Sequence, residues 1–148
     1  MTVAVAVFNA HPRRRMRRAD AVRAVRRVVK GERHNAATVN VVFIDDRECE
    51  RINRKYLGRR GSTDVISFPL GEGTAIEGEV YVNLDRAKKQ AGEYGVSWGN
   101  EVLRLVIHGT LHLLGYDDRT KPLQRRMKLR EERNVETLTA TGRQVRNA

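Results

Sequence analysis

His108 and His112 stand four residues apart in a stretch whose body, Val102 to Ile107, is mostly apolar and so fits a largely buried helix. Four residues advance a helix by slightly more than one turn, so both imidazoles share one face, which is a metal-ligand spacing. Gly115 can end that helix in a left-handed conformation that costs other residues more, and the turn it starts can carry a carboxylate back toward the imidazoles. Asp118 is the candidate third ligand and Asp117 its rival. Two histidines and one aspartate leave a divalent ion short of its usual four partners, so the pattern fits a hydrolytic metal site with a position open to water. In the zinc-protease pattern His-Glu-x-x-His a general-base glutamate follows the first histidine, but here that residue is Gly109, so peptide hydrolysis by that route lacks its base. A glycine at this point lets something approach the helix beside the metal, which suits a bulky substrate such as a polynucleotide backbone.

The elements that must position these residues follow from periodicity and punctuation. Ser97 is a suitable N-cap for the central helix, expected over Gly99 to Leu114. Glu101, Arg104, His108, Leu111 and His112 fall on one side of it. Upstream, Thr2 to Phe8 reads as a strand, Met16 to Lys30 as an amphipathic helix stopped by Gly31, and Ala37 to Ile44 as a buried β-branched strand. Asp45-Asp46 suit the N-cap of a helix to about Leu57, with Cys49 and Ile52 facing inward. A glycine-bracketed basic loop, Gly58 to Ser62, precedes a strand from Thr63 to Pro69; the loop Gly71 to Gly78 precedes another from Glu79 to Leu84. Asp85 is expected to cap a short helix ending before Gly95. A last helix runs from about Pro122 to Leu138, and residues 139–148, small and polar, read as a disordered tail after a single domain of residues 1–138.

Charge narrows the partner. Lys plus Arg number 29 against 18 Asp plus Glu, a formal +11. Arginines at Arg13, Arg14, Arg15, Arg17, Arg18, Arg23, Arg26 and Arg27 form a basic surface, and such a balance favours a polyanion, nucleic acid first. Cys49 is the single cysteine, so no intrachain disulfide forms, which fits a reducing compartment and a cytoplasmic location. No apolar run approaches the roughly 20 residues of a membrane helix, and the apolar-then-basic N-terminus reverses the order of a secretory signal.

His108 to Asp118 reads HGTLHLLGYDD, which resembles the signature H-G-x-L-H-L-x-G-Y-D-H of the YbeY-type endoribonucleases. Asn53 to Phe68, ending Thr-Asp-Val-Ile-Ser-Phe, and Gly78 through Tyr94-Gly95 are similar to two further blocks of that family, so the resemblance covers roughly residues 40 to 130. It implies a zincin-like α+β fold: a mixed, mostly parallel four-stranded sheet packed with about five helices, the metal helix at one end of a cleft. It also implies a zinc-dependent, single-strand-specific endoribonuclease that matures the 3′ end of small-subunit ribosomal RNA, takes part in ribosome quality control and works with the small ribosomal subunit. A non-catalytic RNA-binding assembly factor with a structural metal is the alternative.

Carried over position by position, the ligands fall on His108, His112 and Asp118, which selects Asp118 over Asp117. The family's usual residue at the third position is His. An aspartate still coordinates zinc, and its charge is expected to raise the pKa of a bound water and to widen tolerance toward harder ions such as manganese. The family's usual Arg after the tyrosine matched by Tyr56 is replaced by Leu57, so Arg59 or Arg60 is expected to supply the catalytic cleft cation that holds a phosphate, the alternative being a solvent-exposed loop with two ordinary charges. Thr63, Asp64 and Ser67 match family positions bordering the cleft and, with Arg104, are the remaining candidate substrate contacts. Asp64 is also a candidate to orient a ligand histidine or, equally, to cap a turn; for Arg104, pairing with Glu101 is the simpler reading, and for Trp98 and Tyr116, packing.

Overall fold

The computed structural model describes residues 2–73 and 75–139; most of the expected tail lies outside the described residues. Among the described residues, four strands and five helices follow one another as β1 (Thr2–Asn9), α1 (Arg18–Gly31), β2 (Ala36–Ile44), α2 (Asp46–Leu57), β3 (Val65–Pro69), β4 (Glu77–Asn83), α3 (Leu84–Tyr94), α4 (Trp98–Leu113) and α5 (Lys121–Thr139). The sheet order is β1-β2-β4-β3. β1 with β2 and β2 with β4 run parallel, while β3 returns antiparallel to β4, so the sheet is mixed and mostly parallel.

Alternation along the strands divides the side chains between two cores. Val39, Val41, Phe43, Val80 and Val82 face α1 and α4, and meet Val25, Val28, Val106 and Ile107 in one apolar cluster. On the opposite face α2 lays Cys49 and Ile52 against Ile44 and Ile66. Cys49 is 1% exposed, and burial pushes its thiol pKa up, so it serves as a small apolar residue.

Local chemistry sets the boundaries. Asp45 caps α2 by accepting from Glu48 N, and Gly58 ends that helix in the left-handed region at φ 62°. Ser97 caps α4 through Asn100 N. The cap of α3 is Asn83, whose Oδ1 accepts from Asp85 N and Arg86 N; Asp85, expected in that role, instead accepts from Asp46 N and faces His11 Nε2 at 2.8 Å. A strand ending in Asn and followed by Leu-Asp offers two cap side chains, and the last strand residue is the one with extended backbone. β3 begins at Val65 because Asp64 turns its carboxylate onto Val65 N.

Candidate metal centre and cleft

His108 and His112 occupy the last turns of α4, and their Nε2 atoms lie 3.1 Å apart. Gly115, at φ 99°, reverses the chain just beyond the helix end. The turn brings Asp118 Oδ2 to 3.5 Å from His112 Nε2 and 3.8 Å from His108 Nε2. Asp117 is turned aside: its carboxylate accepts from Arg119 N and Arg119 Nε, bonds that hold its pKa below the usual carboxylate value.

The ring orientations decide what the three residues can hold. His108 Nδ1 sits 2.8 Å from Glu131 Oε2, and His112 Nδ1 2.9 Å from the Tyr116 carbonyl. Each Nδ1 faces an oxygen acceptor and therefore donates its proton, which leaves the Nε2 of each neutral ring as a lone pair. Two lone pairs and a carboxylate thus converge on one point, an arrangement that repels itself unless a cation lies there, and one oxygen or nitrogen from each of His108, His112 and Asp118 falls within 4.8 Å of the others. Burial lowers the pKa of His108, but the Glu131 hydrogen bond and the charges of Glu131, Asp64 and Asp118 outweigh it and hold the ring above its ordinary value.

The trio opens onto a cleft of about 480 Å³, also lined by Asn53, Leu57, Arg59, Thr63, Asp64, Val65, Ile66, Ser67 and Pro69. Leu57 and Arg59 both reach it; Arg60 and Arg104 are not among the lining residues. The Arg59 loop is built from below. Asn53 Nδ2 donates to Gly61 O, Ser62 Oγ to Asp46 Oδ1, and Asn83 Nδ2 to both Asp46 Oδ1 and Thr63 O. Arg104 Nε lies 3.8 Å from Glu101, and Trp98 Nε1 donates to Leu84 O, both consistent with packing roles. Tyr116 donates its hydroxyl to Glu32.

Two expectations change. Asp64 touches neither His108 nor His112: its carboxylate accepts from Val65 N and Gln90 Nε2, the turn-capping alternative, and the acceptor at His108 Nδ1 is Glu131. Glu131 is 8% exposed and shares a buried stripe of α5 with Met127, Asn134 and Leu138, so an acid in an otherwise core-facing stripe was the signal that could have found it. Gly109 makes room for the sheet, not for substrate. A Cβ there would overlap Val80 Cγ1 and lie 3.0 Å from Ser67 Oγ, and Ser67 Oγ donates to Gly109 O at 2.9 Å.

The family model described as "Endoribonuclease YbeY" matches residues 8–139. Curated relatives of that name include one from Chlorobium phaeovibrioides, 38% identical and covering 86% of each chain, and one from Chlorobium luteolum, 40% identical over 85% of this chain and 92% of that one. Another, from Pelotomaculum thermopropionicum, is 38% identical over 80% of this chain and 84% of its own. Among solved structures, the solution structure of TM1509 from Thermotoga maritima superposes with a TM-score of 0.65 at 26% identity, covering 93% of this chain and 90% of that chain. The matched span includes the paired histidines, the turn that returns Asp118, the Arg59 loop and the α5 glutamate, and on that breadth the chain belongs to the YbeY endoribonuclease family.

Proposed function

We propose that this protein is a metal-dependent, single-strand-specific endoribonuclease of the cytoplasm that matures the 3′ end of small-subunit ribosomal RNA and serves ribosome quality control, working with the small ribosomal subunit. The observation that carries the proposal is the convergence of two histidine lone pairs and Asp118 at the wall of a cleft that also holds Arg59. Zinc fits the nitrogen-rich donors, and the carboxylate also admits manganese. When bound, the ion supplies a Lewis acid with a position left for water or a phosphate oxygen.

The chain's own residues do the rest. Glu131 and the Tyr116 carbonyl fix the two imidazoles in the tautomer that presents Nε2. Arg59 offers a planar guanidinium to a phosphate and offsets the charge that develops on it. Thr63, Asp64 and Ser67 border the bound strand, and Arg60 and Arg104 contribute charge from outside the lining. The arginines of the α1 region hold flanking phosphates.

Metal analysis of the purified protein, paired with cleavage of single-stranded ribosomal RNA fragments, tests this reading. Wild type is expected to bind one divalent ion and to cut only with it, and His108→Ala to lose both. Metal bound without metal-dependent cutting would replace the enzyme by an assembly factor with a structural ion. RNA binding is expected to weaken with salt at a log–log slope of about −0.7 per phosphate contacted.

A further inference from the structure

β3 is an edge strand, and its free edge faces the metal cleft. Asp64 O accepts from Asn83 N and Glu77 O from Leu70 N, at 2.8 and 2.7 Å. With the register Ile66↔Tyr81 and Phe68↔Glu79, these bonds place residues 64, 66, 68 and 70 in the hydrogen-bonded pairs with β4. The N–H and C=O groups of Val65 and Ser67 and the C=O of Pro69 therefore point the other way, where, among the described residues, the sheet has no further strand. All three residues line the cleft with His108 and His112.

The edge is closed on either side of one residue. Asp64 Oδ1 occupies the Val65 N–H at 2.8 Å, and Pro69 has no N–H to offer. Ser67 keeps a complete donor and acceptor side by side. Its hydroxyl is spent on Gly109 O, the residue beside ligand His108, so the main chain is what Ser67 presents to the cleft.

We infer that the Ser67 N–H and C=O read the Watson–Crick edge of one unpaired nucleobase next to the scissile phosphate. The inference rests on the endoribonuclease reading and gives it a source of strand selectivity. All four bases carry an adjacent donor and acceptor on that edge, so one main-chain pair accepts any of them without strong sequence preference. In a duplex the same edge is consumed by the opposite strand. A peptide adding as a fifth strand would need a run of alternate main-chain pairs, and Asp64 and Pro69 leave it one.

The test uses the wild-type protein and a single-stranded oligoribonucleotide with one abasic ribose walked along the chain, every cut mapped. Cleavage is expected to fall about tenfold or more at one fixed offset from the abasic position and to persist elsewhere. N3-methyluridine or N1-methyladenosine, which block the Watson–Crick edge but still stack, are expected to give the same loss at the same offset. Cutting that ignores the abasic position overturns the inference and leaves the enzyme reading standing, with a peptide strand as the next occupant to try. Loss with the abasic ribose but not with the methylated bases overturns it in favour of stacking. Failure to cut the unmodified oligonucleotide removes the nuclease reading and the inference together.

Discussion

Gly109→Ala places two opposed effects at one atom. In a helix interior, alanine is more favourable than glycine by about 1 kcal/mol, so an open site would be stabilised. At Gly109 the new methyl overlaps Val80 Cγ1 and stands 3.0 Å from Ser67 Oγ and 3.1 Å from Val65 Cγ2. Val80 is fully buried and β-branched, so it has no empty rotamer to swing into. Overpacking of this kind costs about 1–3 kcal/mol, and with three neighbours to displace the upper half applies. The net is a loss of about 1–2 kcal/mol, or roughly 3–6 °C in Tm for a domain of this size. Strain is relieved by lifting α4 from β3, which carries His108 with it, so metal affinity falls in the same variant. Gly92→Ala is the control: it lies in the exposed face of α3, nothing stands within 4 Å of its Cβ, and a gain of about 0.5–1 kcal/mol is expected. Adding Val80→Ala to Gly109→Ala should give a combined cost smaller than the sum of the two. Thermal melts and zinc titration of the set decide it. A Gly109→Ala protein that melts at or above wild type would refute the packing argument.

Four other outcomes follow from the site. Glu131→Ala is expected to weaken metal binding about 10- to 100-fold, with Glu131→Gln in between because it keeps an acceptor for His108 Nδ1; calorimetry showing no change would count against the orienting role. Arg59→Ala is expected to lower kcat/KM on RNA by about tenfold to a hundredfold and Arg60→Ala much less, and full activity in both would end the assignment of a cleft cation to this loop. Asp118→His removes an anion from the centre, so the pH profile of cleavage should move to lower pH and manganese should support less activity, read from metal-reconstituted rates. Glu101 is 2% exposed, and burial, opposed by Arg104 and helped by Asp64 and Glu131, raises its pKa from 4.5 to about 7. The folded state therefore keeps a proton that the unfolded state releases, and stability contributed by this group falls as pH rises from about 4.5 to about 7. Urea titrations of wild type and Glu101→Gln should show that slope in the first and not in the second.

What was legible in the sequence is what local rules encode. The i, i+4 histidines, the Ser97 cap and the reversal at Gly115 are each written in a few neighbouring residues, and all three appear where spacing and residue type put them. Asp118 needed the family register as well, since a turn of that length offers two aspartates and only the course of the backbone sends Asp117 to Arg119. Glu131 was missed for a different reason: its place in the α5 stripe marks it as core-facing but does not name its partner. It is 23 residues from His108, a separation that only the packing of α5 on α4 closes. Gly109 was read as space for a ligand because a sequence shows that a side chain is missing but not which partner fills the gap; the partner is Val80, whose position depends on β3 and β4 pairing antiparallel.

The distribution of charge separates capture of RNA from its cleavage. The arginine-rich segment before α1 is a built structure: His11 Nδ1 accepts from Arg13 N and Arg14 N, Asn9 brackets Met16 through both its N–H and its C=O, and Met16 is buried. Arg13, Arg15, Arg17 and Arg18 are left exposed on this frame. Among the described residues that line the cleft, by contrast, Arg59 is the one arginine, and it shares that lining with two carboxylates, Asp64 and Asp118. Exposed cations act over a Debye length of about 8 Å at physiological salt and concentrate any polyanion, duplex or single strand alike. They therefore supply affinity without selection. Selection has to arise where charge is nearly balanced and contacts are short, at the free edge of β3 and the converging side chains of His108, His112 and Asp118, because there a wrongly shaped strand gains little Coulomb energy to compensate for the hydrogen bonds it fails to make.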